Sequence, residues 1–109
     1  MQLLTKLSTV DDTYSLPEFQ SVLEQHLEYF KVTGTISTLT ISDHQSLKYQ
    51  GDLYGIFEDV NIAKKFHYLV MRLNGFTHPG DYAGDSRVLI LPDFQEVELV
   101  KNVWQTKKF

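Results

Sequence analysis

The chain has 109 residues, 42% of them hydrophobic, no cysteine and a formal charge of −4. That is one domain's worth of chain, with a modest apolar core and no covalent staples or thiolate metal sites. The net negative charge and the scatter of its ten basic residues, apart from Lys64-Lys65 and Lys107-Lys108, argue against a nucleic-acid surface, and no apolar run approaches the roughly 20 residues of a membrane span. The opening Met-Gln-Leu-Leu-Thr-Lys-Leu lacks the apolar core and small-residue cleavage site of a signal peptide, which counts against an exported wall-binding protein.

In chain order, residues 1–14 form a lead whose Leu3, Leu4, Leu7 and Val10 suit a short helix or an arm laid on a neighbour. Ser15-Leu16-Pro17-Glu18 reads as a capping box with proline in the first turn. A helix is expected from there to about Phe30. Its apolar positions Leu16, Phe19, Val22, Leu23, Leu27 and Phe30 step by three and four, opposite Glu18, Glu24, Gln25 and Glu28. Gly34 marks the exit. Thr35 to Ile41 alternates in strand fashion, Ser42-Asp43-His44 reads as a turn, and Gln45 to Gln50 as a second strand paired with the first in a hairpin.

Two helices are expected next. Asp52 to Asp59 presents Leu53, Ile56, Phe57 and Val60; Asn61 then caps a longer one with Ala63, Phe66, Val70 and Leu73 inward and Leu69 beside them. Asn74-Gly75 supplies a left-handed stop, Pro79 prevents resumption, and Val88 to Leu91 is an apolar run of strand length closed by Pro92. Beyond it, Val97 and Leu99 alternate with Glu96 and Glu98 in strand fashion, and the chain's one tryptophan is Trp104. Such a density of apolar groups is foreign to a disordered tail.

Chemistry-bearing residues give no constellation. His26, His44, His67 and His78 stand in no metal-ligand spacing, Asp81 and Asp85 flank too few oxygen donors for a calcium loop, and Glu58-Asp59 diverge on a helix. No phosphate loop, nucleophile elbow or triad assembles. No enzyme, cofactor or metal is expected.

The run Leu73-Asn74-Gly75-Phe76-Thr77-His78-Pro79, with Gly84 and Leu89-Ile90-Leu91-Pro92, resembles the second half of a LysM domain. Tyr49-Gln50-Gly51-Asp52-Leu53-Tyr54-Gly55-Ile56-Phe57 resembles the strand-Gly-Asp-Thr-Leu opening of that family, without its threonine after Asp52. More narrowly, Leu91-Pro92-Asp93 followed by Asn102-Val103-Trp104 is similar to the end of the small LysM-like tail protein X of contractile-tailed phages. The resemblance covers about residues 47–104. It implies an α+β fold with a LysM-like strand-helix-helix-strand module at 45–92 and an interaction tail at 93–109; it leaves 1–44 unexplained, where the residues themselves give an added N-terminal arm, helix and strand.

The function this resemblance implies is structural. The chain would join tail tube or hub to wedge or sheath-proximal proteins of a virion's baseplate, in multiple copies, with no nucleic-acid or membrane partner. Aromatic and apolar groups near loops and in the tail are the candidate protein interface: Tyr54, Tyr68, Phe76, Tyr82, Phe94, Val97, Leu99, Val103 and Trp104. The alternative is a carbohydrate-binding module for peptidoglycan or chitin. On the resemblance, its groove falls to Gly51, Asp52, Leu53, Asn74, Gly75 and Phe76.

Overall fold

The computed structural model describes residues 13–85 and 87–108. After a tight turn at Thr13–Ser15 come α1 (Pro17–Gln25), α2 (Leu27–Val32), β1 (Ser37–Thr40), α3 (Asp43–Lys48) and α4 (Leu53–Asp59). A single 3-10 turn, Lys64–Phe66, leads into α5 (His67–Leu73); another, Pro79–Asp81, precedes β2 (Val88–Leu91), and α6 (Phe94–Lys108) follows. The class is α+β, as the sequence implies. The expected helix or arm over residues 1–14 lies outside the described residues apart from Thr13 and Tyr14.

The N-terminal helix departs from expectation at both ends. The cap position is Leu16 and not Ser15: it is extended at φ −73° and ψ 131°, and its own side chain makes no cap hydrogen bond. Pro17 forces this, because its ring pushes the preceding residue out of the helical region and moves the cap one residue on. The helix then breaks at His26 (φ −106°, ψ 10°), whose Nδ1 lies 2.7 Å from the Val22 carbonyl oxygen, and α2 carries on to Val32. The apolar stripe survives the break, with Phe19, Leu23 and Phe30 buried. Gly34 leaves α2 at φ +74°, where a Cβ would sit 2.5 Å from Asp93 Oδ2.

Gln45 to Gln50 is not a strand. Ser42 accepts the Gln45 N–H through its hydroxyl, and the Gln45 side chain accepts the Ser42 N–H, each at 3.1 Å. This reciprocal capping box starts α3 where a hairpin turn was expected. Among the described residues the sheet therefore has two strands, and β1 pairs directly with β2. They run antiparallel in the register Ser37↔Leu91, Thr38↔Ile90, Leu39↔Leu89 and Thr40↔Val88.

Asp52 caps α4, accepting the Gly55 N–H at 3.1 Å, and Leu53, Ile56 and Phe57 are buried beneath it. Asn61 does not start the next helix. It sits at φ 65°, a left-handed position asparagine tolerates, and helps turn the chain out of α4; α5 begins only at His67. Ala63, expected inward, is exposed, while Leu69, Val70, Met71 and Leu73 are buried.

The segment after Pro92 is a helix and not a strand. Asp93 starts it: Oδ1 accepts the Gln95 N–H and Oδ2 the Thr35 N–H, both at 3.0 Å. These two amides hold the Asp93 carboxyl below the usual range, that of Thr35 first. Val97, Val100 and Trp104, three and four apart, turn inward to one core with Phe19, Leu23, Leu53, Ile56, Val70 and Leu89. The described parts of the segments 1–44, 45–92 and 93–109, from Tyr14 to Trp104, thus share a core. Each large side chain buried there contributes about 1.5–3 kcal/mol.

Candidate protein interface

The two loops assigned to a glycan groove do meet, because the Gly51 N–H donates to the Tyr82 carbonyl oxygen at 2.7 Å. Two of the six groove residues are nonetheless occupied in holding the fold. Leu53 is fully buried in the core. Asn74 Nδ2 donates to the carbonyl oxygens of Val70 (2.8 Å) and Ile90 (2.9 Å), and its Oδ1 accepts the Ile90 N–H (2.7 Å). This one side chain closes α5 and pins β2 to it. Asp52 is exposed but caps α4, Gly51 and Gly75 are exposed turns at positive φ, and Phe76 is half-buried with its ring edge-on to Tyr82, centroids 6.1 Å apart.

Of the nine interface candidates, two are corrected. Tyr82 is 1% exposed and Val97 is fully buried: the first is the floor under Phe76, and the second faces inward once its segment is helical instead of extended. Two others are half-buried structural groups. The Tyr54 ring packs 5.1 Å from His67, and burial raises its phenol above the usual range. The Tyr68 hydroxyl donates to Glu24 at 2.7 Å, where Arg72 Nε and Nη2 also donate, at 2.5 and 3.0 Å. That fork ties α1 to α5. The Arg72 bond does most to hold the Glu24 carboxyl below its ordinary value, while burial and then Glu24 raise Tyr68.

Phe76 stays with Tyr82, and the other four candidates converge on α6. Phe94 stacks on Phe66 with centroids 4.6 Å apart, and Trp104 lies 5.2 Å from Phe19, so both are anchors with one side toward solvent. Leu99 and Val103 are 52% and 48% exposed, one helical turn apart. A cleft of about 500 Å³ lined by Lys65, Phe66, Phe94, Glu98 and Leu99 flanks the helix, and a second of about 480 Å³ lies among Val22, His26, Tyr29, Leu99, Val103 and Trp104. Leu99 is the ridge between them.

Among the α6 residues whose side chains are described, those over 94–106, the exposed ones are Gln95, Leu99, Asn102, Val103 and Thr106, and none is charged. A helix facing only water ordinarily carries its charges there. Here the charges sit on the flanks. Glu98 accepts the Tyr14 hydroxyl at 2.6 Å and lies 3.0 and 3.3 Å from the Lys65 and Lys101 amines. Burial pushes its carboxyl up, but Tyr14, Lys65 and Lys101 together outweigh it and hold it low. Glu96 accepts the Tyr29 hydroxyl at 3.1 Å. Sequence reasoning missed Tyr29, 42% exposed on the cleft wall; its signal is the three-residue step from His26, which puts both on α6's side of the break.

The ionisable groups elsewhere have local work. His67 Nε2 lies 2.8 Å from the Ile62 carbonyl oxygen, His78 Nδ1 accepts the Gly80 N–H, Glu58 pairs with Lys64, and Asp59 accepts from Gln45. Among the described residues no group of three or more His, Asp or Glu side chains is placed to hold a metal ion, and no helix is long and apolar enough to cross a membrane. Comparison with protein-family models, curated proteins and solved structures gives no match.

Proposed function

We propose that this chain is a structural assembly protein, a LysM-like adaptor of a contractile phage tail baseplate that docks neighbouring proteins through the outward face of α6. The observation that carries the assembly reading is the uncharged stripe on that face, with Leu99 and Val103 exposed between two clefts. Interfaces are built this way, with charges at the rim and apolar groups at the centre. The LysM-like reading is supported by antiparallel strands that bracket α4 and α5, with Gly51-Asp52 opening the first helix and Leu73-Asn74 closing the second. An extra helix, α3, lies between β1 and Gly51. The baseplate itself, its tube, hub, wedge and sheath-proximal partners, and a virion location rest on the resemblance of residues 47–104.

The test is gradient sedimentation of the tagged chain from cells producing its native particle. Co-migration with a tail-sized assembly, lost in Leu99→Glu or Val103→Glu variants that still fold, supports the proposal. Migration as a small free protein, or with cell-wall sacculi, overturns it.

The Gly51–Tyr82 hydrogen bond keeps the glycan reading as a second one, since it brings the two loops together. Its probe is titration with N-acetylglucosamine oligomers, read at the Gly51, Gly75 and Phe76 amides. Absence of shifts at millimolar ligand excludes it.

A further inference from the structure

We infer that Asn74-Gly75 is a latent deamidation site. The native turn holds it inert, and when the turn opens Asn74 converts to aspartate or isoaspartate, after which β2 is no longer clamped to α5. This goes beyond the assembly reading and does not depend on it.

The chain has three asparagines, followed by Ile62, Gly75 and Val103. Deamidation begins when the backbone nitrogen of the next residue attacks the asparagine side chain, so a β-branched neighbour hinders it and a glycine, with no Cβ beside the attacking nitrogen, does not. The Gly75 nitrogen gives its proton to water or hydroxide and bonds to Asn74 Cγ. The Cγ–Nδ2 bond breaks, and Nδ2 takes a proton from solvent and leaves as ammonia. Water then opens the five-membered imide: cleaving the new N–Cγ bond gives aspartate, and cleaving the original peptide C–N bond gives isoaspartate. Water is the only co-reactant, and nothing is oxidised or reduced.

The native turn blocks the attack in three ways. Asn74 stands at φ −96° and ψ 11°, so its Cβ and the Gly75 nitrogen point apart about the Cα–C bond. Ring closure needs them eclipsed, at a ψ of about −120°, outside the regions open to an L-residue. The Asn74 side chain is also fixed by its three bonds to Val70 and Ile90, which aim it at β2 and not back at its own peptide. Finally, the Gly75 N–H donates to the Arg72 carbonyl oxygen, and Arg72 Nη1 donates to that of Phe76, each at 3.0 Å, so the turn is tied on both sides of the attacking nitrogen. Gly75 itself is exposed to solvent. Protection is therefore conformational, and it lasts only while the clamp between Asn74 and Ile90 is closed.

The product cannot rebuild that clamp. A carboxylate has no donor, so the Val70 and Ile90 carbonyl oxygens, which accept Nδ2 at 2.8 and 2.9 Å, would face a negative oxygen instead. Isoaspartate also lengthens the main chain by a methylene where α5 ends. Chemical change of the opened chain is irreversible, so the site records how often β2 leaves α5.

The experiment incubates the full chain in mildly alkaline buffer and follows peptide masses at Asn74, with Asn61 and Asn102 as internal references, while hydrogen exchange reads the Ile90 amide. In denaturing urea Asn74 converts ahead of the other two; in native buffer its rate falls by about tenfold or more. Across sub-denaturing urea the conversion rate rises in proportion to Ile90 exchange. Asn74→Asp, made directly, loses Ile90 protection while circular dichroism shows its helices retained. No conversion in urea, conversion in native buffer as fast as in urea, conversion that does not follow Ile90 exchange, or an Asn74→Asp chain with Ile90 still protected each overturns the inference. The wild-type measurements decide it even if that variant does not fold.

Discussion

Asn74→Ala is the most informative single substitution. It removes three hydrogen bonds at once: those from Nδ2 to the Val70 and Ile90 carbonyl oxygens, and the one Oδ1 accepts from the Ile90 N–H. Ile90 has no substitute across the sheet. The Ile41 N–H to Arg87 carbonyl bond fixes 41/87, 39/89 and 37/91 as the bonded pairs by alternation, so the backbone groups of Ile90 point away from Thr38. At about 0.5–1.5 kcal/mol per bond, with Asn74 half-buried, the loss is about 2–3 kcal/mol. For a domain of this size that is about a quarter of a typical total, and about 10 °C in Tm. Urea unfolding should show a lower midpoint at unchanged m, and the Ile90 amide should exchange faster than its neighbours. A variant within about 0.5 kcal/mol of wild type, with Ile90 still protected, would refute the clamp. An apparent loss of sugar binding in this variant would then need to be separated from loss of fold.

Three further outcomes follow from the geometry. Ser42→Ala should cost about 1 kcal/mol by urea unfolding, through loss of the capping box that starts α3. Leu53→Ala, at a fully buried site, should cost about 2–5 kcal/mol, whereas Leu99→Ala should stay within about 0.5 kcal/mol in the monomer. Glu24→Gln should cost about 1 kcal/mol at neutral pH, a modest figure because the carboxylate is 32% exposed. The Glu24 carboxyl is lowered in the folded state, so its contribution is complete above the ordinary carboxylate range, about pH 5, and is lost as pH falls through the lowered folded value. Wild type and variant should converge in acid; a gap that persists or widens there would contradict the Glu24–Arg72 assignment.

Local rules made the outline legible where one signal acted alone. Asp52 before Leu53, Gly34 after α2, and Asn74-Gly75 after α5 each mark a boundary that is observed. The misreadings have physical causes. Ser15-x-x-Glu18 and Ser42-x-x-Gln45 are both capping-box patterns, yet only the second lacks a proline that fixes the cap elsewhere. Val97 and Leu99 alternate like a strand over four residues, but Val97, Val100 and Trp104 together have helical spacing. Calling the segment extended therefore exposed Val97, which is buried. Of the candidate interface, Phe94, Leu99, Val103 and Trp104 converge on one helix face; Tyr29 and Lys65 complete it from remote segments, and although the step from His26 gives Tyr29 its side of the helix, that this side meets α6 is a long-range contact.

The pairing of β1 with β2 has a kinetic consequence. Ser37 and Leu91 are partners across 54 positions of sequence (91 − 37), so the sheet closes a long loop that contains α3, α4 and α5. Closing a loop of that length costs about 3.5 kcal/mol beyond a constant, and nothing in two four-residue strands repays it until the enclosed helices have docked. The strands are therefore a clasp fastened last and released first. Under mild denaturant the amides of Leu39 and Leu89 should open in a sub-global step before those of Leu69 and Val70, which makes the clasp the natural hinge for any partner that remodels this chain on docking.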